Sequence, residues 1–315
     1  MLDVHQLNVF LVAAEALSFT QAAKRLHMTQ PSVSQHIQSL ESLFGMQLFI
    51  RSGRNLILTD GGLALVSLAR EAVALSQRIE ETMESLKGQI HGHLVIGCST
   101  TPGKYIFPQI LAKFHHLYPF VRTTCLVSSQ TETIKKLVAG EAHFALFSIS
   151  AEGNPDLEVR HFICDPVVLI APLDHPWAVK GKITSADLLE GTFIMPESSS
   201  GTYVAVEEAL SRFEISMKDL DIPITLGNAE AIALAVQEGL GVGFISKMVV
   251  DRFCAAKVAL IEGQGIEICR NIYIGRSNRR PPTGAQTAFW EFLITENHPF
   301  FDLSDNLNKP VLLEG

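Results

Sequence analysis

The chain has few cysteines, few aromatic residues, little charge and no long apolar run. Cys98, Cys125, Cys164, Cys254 and Cys269 are odd in number, and no two stand at CxxC spacing. This pattern predicts reduced, mostly buried thiols in a cytoplasmic protein. For Cys98, which precedes a polar turn, the expectation is a buried strand-end thiol. The start, MLDVHQLNVF, has no basic segment leading into an apolar one, so no secretory leader is expected. No uninterrupted apolar stretch is long enough to span a bilayer, which predicts no membrane partner. Charged residues make up 18% of the chain and the net charge is −8, a poor balance for nucleic-acid binding by the molecule as a whole.

Catalytic patterns are also missing. There is no G-x-S-x-G elbow for a nucleophilic serine. His91, His93, His115 and His116 lack a complementary set of cysteines or carboxylates, so solvated histidines are expected rather than a metal site. Gly239-Leu240-Gly241-Val242-Gly243 lacks dinucleotide-binding spacing and opens a strand, which makes it a tight turn. Neither an enzymatic activity nor a cofactor is expected. A transport solute-binding protein would share the body described below, but it needs a secretory leader and has no use for the N-terminal segment.

The chain does have length and an uneven charge distribution. Its 315 residues allow about two or three domains. Residues 1–59 carry Lys24, Arg25, Arg51 and Arg54 against Asp3, Glu15 and Glu41, a net of +1, which leaves −9 for the remainder. A near-neutral head on an acidic body suits a protein that touches DNA with one end only. Leu7, Phe10, Leu11 and Ala14 form one helix face. Ser18 with Gln21 makes a capping-box pattern before a short helix over Thr20–Leu26. Pro31 suits the first turn of a third helix. That helix buries Val33, Ile37, Leu40 and Phe44. Pro31, Ser32, Gln35, Gln38 and Ser39 lie on the opposite side, flanked by Ser34 and His36. Small residues and amides on the outer face suit a major groove, where Gln pairs with adenine. Strands Leu48–Arg51 and Leu56–Thr59 around a tight turn complete a winged helix-turn-helix, with Arg51 and Arg54 placed for phosphate or the minor groove.

The stretch SFTQAAKRLHMTQPSVSQHIQSLESLFGMQLFIR, Ser18–Arg51, resembles the signature of LysR-type transcriptional regulators. The resemblance implies that Gln30, Pro31, Ser32, Ser34 and Gln35 read double-stranded DNA, with Arg51 and Arg54 on the backbone or minor groove. In the segment Ile50–Arg54, family members often carry one more basic residue. Thr59-Asp60-Gly61-Gly62 closes the wing and caps a further helix. There Leu68, Ala72, Leu75, Ile79, Thr82 and Leu86 alternate spacings of four and three, the seam of a two-stranded coiled coil. The family dimerises through this helix and commonly forms tetramers. Two heads imply an operator with roughly palindromic half-sites.

After Gly88 the pattern alternates strand and helix, which predicts two α/β lobes around mainly parallel sheets. Small hydroxyl and amide residues stand at four expected strand-to-helix turns: Ser99, Thr100 and Thr101; Gln130 and Thr131; Ser199, Ser200 and Thr202; and Asn228. Such turns favour an anion or polar metabolite. GCSTTPGKYIFP, PESSSGT and LGNAEAIALAVQEGLGVGFIS resemble the family's effector-binding domain, itself similar to periplasmic binding proteins. The expected division is a head over 1–59, a linker helix over 60–90, lobe I over 91–165 with 267–296, lobe II over 166–266, and a tail over 297–315. The function expected is a DNA-binding transcription regulator controlled by a small anionic effector.

Overall fold

The computed structural model describes residues 2–52, 55–148 and 153–295, so Arg54 and the tail 297–315 lie outside the described residues. The chain divides into two compact units, residues 1–89 and 90–315.

The first unit opens with α1 (Val4–Ala16), α2 (Phe19–Leu26) and α3 (Gln30–Phe44). Each start is set by a short polar side chain. Asp3 accepts from the His5 amide, Ser18 from that of Gln21 and Thr29 from that of Ser32. These bonds satisfy helix N–H groups that otherwise have no partner. Leu7, Phe10, Ala22, Ala23, Val33, Ile37 and Leu40 are buried together, and the two alanines let helices approach closely. Phe44, expected on the buried stripe, is exposed at the end of α3.

The wing pairs β1 (Phe49–Ser52) with β2 (Asn55–Leu58) in antiparallel register. Glu41 ties it to α3, accepting from the amides of Leu48 at 2.8 Å and Phe49 at 3.3 Å. Then α4 (Asp60–Ser85) runs for 26 residues from a Thr59 cap. Ala69 is buried in the head core, and Leu65, Val66, Ala72 and Val73 pack against it. The opposite face stays apolar and open: Leu68 is 62% exposed, Leu75 52%, Ile79 54% and Leu86 75%. Of the expected seam, Ala72 therefore turns partly inward, whereas these four leucine and isoleucine side chains have no cover among the described residues.

The second unit has one mixed ten-stranded sheet. Its elements are β3 (Gly92–Cys98), α5 (Phe107–Leu117), β4 (Val121–Val127), α6 (Gln130–Ala139), β5 (Phe144–Phe147), β6 (Leu157–Ala171), α7 (Pro176–Lys180), β7 (Lys182–Ile183), β8 (Thr192–Met195), α8 (Gly201–Ser211), β9 (Asp221–Thr225), α9 (Ala229–Gln237), β10 (Val242–Ser246), α10 (Lys247–Val249), β11 (Ala259–Gly263), β12 (Ile268–Ser277) and α11 (Gly284–Ile294). Within the lobes, β3 is parallel to β4 and β5, and β8 is parallel to β9 and β10. Between the lobes the sheet is antiparallel: β6 and β12 run side by side from Leu157 opposite Ser277 to Val167 opposite Ile268. The parallel expectation holds for each lobe's own strands, and the crossing pair is the departure. Its first half, residues 157–165 (LEVRHFICD), keeps no strict alternation of apolar and polar side chains, so no local pattern marks it as a strand.

One core gathers Leu94, Ile96, Phe107, Ile110, Phe114, Phe144, Phe162, Ile272 and Phe289, so the late strand and α11 return to the first lobe. A second gathers Val167, Leu169, Trp177, Phe193, Val206, Leu210 and Phe244. The lobes therefore meet where β6 and β12 cross, between Ile163 and Val167 on one strand and between Ile268 and Ile272 on the other.

The thiol expectation needs correction here. Cys164 and Cys269 form a disulfide across the two crossing strands, 105 residues apart in sequence. Sequence spacing does not show this pair because only the return of β12 beside β6 brings the two together. Cys98, Cys125 and Cys254 are free thiols, and Cys98 and Cys254 are buried. Cys98 Sγ lies 3.2 Å from Cys125 Sγ. That hydrogen bond, with burial, pushes the Cys98 thiol well above its usual range.

Two outcomes follow from this packing. Gly62 abuts the backbone of the wing, and an added Cβ would run into the Leu48 carbonyl. Gly62→Ala should cost the head about 2 kcal/mol or more through overpacking, read as a lower urea midpoint of its unfolding transition. In the second unit the half-buried His143 accepts the Val95 amide at 3.2 Å. Burial, followed by the nearby His93, lowers its pKa to about 4. The neutral ring favours the folded state, so stability present above the unfolded value of 6.5 should fall as pH drops from 6.5 through 4. The loss should be about 3 kcal/mol, and His143→Asn should flatten that part of the stability profile.

Candidate functional sites: a DNA-reading head and an interlobe cleft

On α3, the Thr29 cap and Pro31 in the first turn set the helix start. Gln30, Pro31 and Gln35 are exposed, and Ser32 and Ser34 are half-buried. Gln30 donates to Ser34 Oγ at 2.8 Å, which pre-orders one side of this surface. Gln38 and Ser39 continue it, and Ser39 is turned back onto the Gln35 carbonyl at 2.9 Å. Arg51 is exposed on β1, opposite Leu56. The head thus presents amides, small hydroxyls and an exposed guanidinium on a rigid three-helix frame.

In the second unit the turns after β3, β4, β8 and β9 converge on one cavity of about 230 Å³ between the lobes. Ser99, Thr100, Thr101, Gln130, Ser199, Ser200, Thr202 and Asn228 all line it. Thr131 does not: it is exposed on the first turn of α6. The cap of that helix is Ser129, which accepts from the Glu132 amide. Gln130 turns inward instead. Its Oε1 accepts from the Ser148 amide at 2.5 Å and its Nε2 donates to the Ser199 carbonyl at 3.3 Å, so one side chain joins the two lobes. The lobes meet closely there, because a Cβ on Gly201 would run into the Ser148 side chain.

Several predicted residues are already committed to the fold. Ser200 accepts from the Thr202 amide and Asn228 from the Ala231 amide, both as helix caps. Among the lining side chains, Ser99, Thr100, Thr101 and the rim residue Glu197 are not held by such caps.

Arg270 is the residue that sequence reading missed. It lines the cavity from β12 and is almost fully buried. Its Nη2 donates to Asp165 directly opposite on β6, and its Nη1 donates to Thr202 Oγ1 at 3.0 Å. Asp165 also accepts from Ser246 at 2.7 Å. Burial pushes the Asp165 carboxyl up, opposed by the charge of Arg270 and by hydrogen bonds from Ser246 and Arg270. The Arg270 Nε–H finds no acceptor among the described residues. No sequence motif marks this arginine, which stands beside Asn271 on a strand that also carries Arg276.

A second link bridges the lobes at the mouth. Glu230 accepts from Lys104 at 2.9 Å and from Tyr105 at 3.0 Å. Burial opposes ionisation of Glu230, but hydrogen bonds from Lys104, its own backbone and Tyr105 outweigh it and hold the carboxyl below its usual range. Burial and the bond to Glu230 push the Tyr105 hydroxyl up to about 12.

Comparison with known proteins places both units. Residues 4–63 match the model of the bacterial regulatory helix-turn-helix protein of the lysR family, and residues 87–297 match the LysR substrate binding domain. The chain is 33% identical to the transcriptional activator CmpR of Synechocystis over 243 residues, 77% of this chain and 78% of CmpR. Full-length CbnR, solved in complex with its target DNA, shares the fold with a TM-score of 0.67 at 21% identity, over 93% of this chain and 99% of that one. The regulatory domain of Synechocystis CcmR, solved in complex with 2-PG, matches with a TM-score of 0.58 at 27% identity, over 66% of this chain and 99% of that one. With both units matched in order by family models and a relative 33% identical over most of both chains, the chain belongs to the LysR family of DNA-binding transcriptional regulators.

Proposed function

We propose that this regulator binds operator DNA as a dimer, or a pair of dimers, and that a small anion held between the lobes of its second unit adjusts that binding. The observation that carries the anion is Arg270: a buried guanidinium on the cleft lining, whose Nε–H has no acceptor among the described residues. A buried donor without a partner is costly, and an anionic oxygen relieves it with a charge-assisted bond. Ser99, Thr100 and Thr101 add hydroxyls, and turns at strand C-termini add backbone N–H groups. The cavity of about 230 Å³ limits the ligand to a small metabolite. The 2-PG held by the related CcmR domain supports the same class.

The open apolar face of α4 supports self-association. Leu68, Leu75, Ile79 and Leu86 present it in a coiled-coil spacing to a second copy. A head with a net charge of +1 gains little from phosphate attraction alone, so two joined heads reading roughly palindromic half-sites supply the affinity. The division proposed is a head over 1–59, a linker helix over 60–90, lobe I over 91–165 with 267–296, and lobe II over 166–266. No helix among the described residues is long and apolar enough to cross a membrane, and a cytoplasmic location fits a protein that acts on DNA. Ligand-dependent closure, through Gln130 and the Lys104–Glu230 link, is the proposed route from cleft to head.

Two outcomes test this reading. Gln35→Ala should weaken operator binding by about 1–3 kcal/mol and relax base preference, whereas Arg51→Ala should weaken all sequences alike and lower the salt slope by about 1. Mobility shifts over a salt series distinguish the two, and wild-type behaviour of both variants would remove these residues from the interface. Thr101→Ala and Thr202→Ala should each weaken binding of 2-PG or inorganic phosphate about tenfold, equivalent to about 1.4 kcal/mol per hydrogen bond. Titration calorimetry that finds unchanged affinity sinks the cleft assignment.

A further inference from the structure

Cys164 and Cys269 lie on the two strands that cross between the lobes, at the junction of the two cores. Their sequence neighbours Asp165 and Arg270 form the buried pair beside the cleft. Because side chains alternate along a strand, the crossing is joined twice: on one face by the ion pair, on the other by the disulfide. Both cysteines are exposed, and both line a separate cavity of about 800 Å³ on lobe II between α8, β6, β11 and β12. A small reagent therefore has direct access to the sulfur atoms, unlike the buried Cys98 and Cys254. A DNA-binding regulator works where small thiols and dithiol proteins keep cysteines reduced, and an accessible disulfide in such a place is exchanged rather than permanent.

We propose that Cys164 and Cys269 are a reversible thiol–disulfide site, and that their redox state sets the stiffness of the crossing that carries Arg270. The reductant is a dithiol. One of its thiolates attacks an Sγ of the pair; the Sγ–Sγ bond breaks as a mixed disulfide forms, and the displaced cysteine thiolate takes up a proton. The second thiol of the reductant attacks the mixed disulfide, frees the other cysteine as a thiol and leaves as a disulfide. Two electrons and two protons pass to the protein. A small disulfide drives the reverse exchange. In the oxidised form the crossing strands are fastened side by side, so Arg270 and Asp165 stay in register. In the reduced form backbone hydrogen bonds, the ion pair and the flanking His161–Asn271 and Glu158–Arg276 links hold them.

The inference does not depend on the identity of the cleft ligand, and neither does its test. Full-length protein is treated under native conditions with dithiothreitol or with oxidised glutathione, then denatured, alkylated and mapped by peptide mass. Oxidised protein should yield Cys164 and Cys269 as one cross-linked peptide pair; dithiothreitol should open both, and oxidised glutathione should restore the link. Hydrogen exchange at the amides of 162–167 and 268–273 should speed up about tenfold on reduction. Cys269→Ser should exchange at the faster rate in either condition, whereas Cys98→Ser should keep the redox response. Alkylation of Cys164 and Cys269 after oxidised glutathione, resistance of their link to dithiothreitol in the native protein, or equal exchange in the two states would each overturn the proposal.

Discussion

A carboxylate and a guanidinium removed from water face each other where the chain crosses between its two lobes. Asp165 and Arg270 are both buried. Taking two charges out of water costs several kcal/mol per ion unless the geometry and the remaining hydrogen bonds compensate. Here they largely do. Ser246 satisfies the other carboxylate oxygen, and Thr202 accepts from the second guanidinium nitrogen. These two partners come from β10 and the start of α8, so the pair also fixes how lobe II sits against the crossing strands. One guanidinium N–H, on a residue that lines the cleft, is left without an acceptor among the described residues.

The cleft follows the logic of parallel strands feeding helices. Every lobe strand ends at the same side, so four polar turns meet there. Capping uses much of their polarity: Ser129, Ser200 and Asn228 each satisfy an amide of their own helix. The lining residues not used as caps include the Ser99–Thr101 turn, Gln130, Glu197 and Arg270. Gln130 is bonded to both lobes at the cleft wall. The Lys104–Tyr105–Glu230 link has the same character, with charge and hydrogen bonds joining an early turn of lobe I to a helix of lobe II.

The head works by different means. Its core is ordinary helix packing, with two small alanines where helices approach and a wing fastened by one carboxylate, Glu41. Its outer surface carries little charge, which directs recognition toward groove chemistry rather than phosphate attraction. The uncovered leucines and isoleucine of α4 belong to the same economy, because a weakly basic head gains most from being held next to a second one.

The sequence alone settled what depends on neighbours along the chain. Helix faces at 3.6-residue spacing, the caps at Ser18 and Thr59, the strand–helix alternation and the head's outward amides were all legible, because each is a local regularity. Eight of the nine expected effector residues line the cavity, because they sit in turns that such alternation places at one edge. The tertiary structure alone decided what depends on pairing distant segments. Thr131 falls outside the cavity because the helix is capped at Ser129, two residues earlier, and Gln130 turns inward instead. Arg270 entered it, and Cys164 joined Cys269, because β12 returns antiparallel beside β6 after about a hundred residues. Strand register is set by which faces are buried, and no local pattern in either strand states which partner it will meet. The helix-turn-helix was therefore readable from its own residues, whereas the charge that most shapes the cleft became visible only when the two crossing strands were laid side by side.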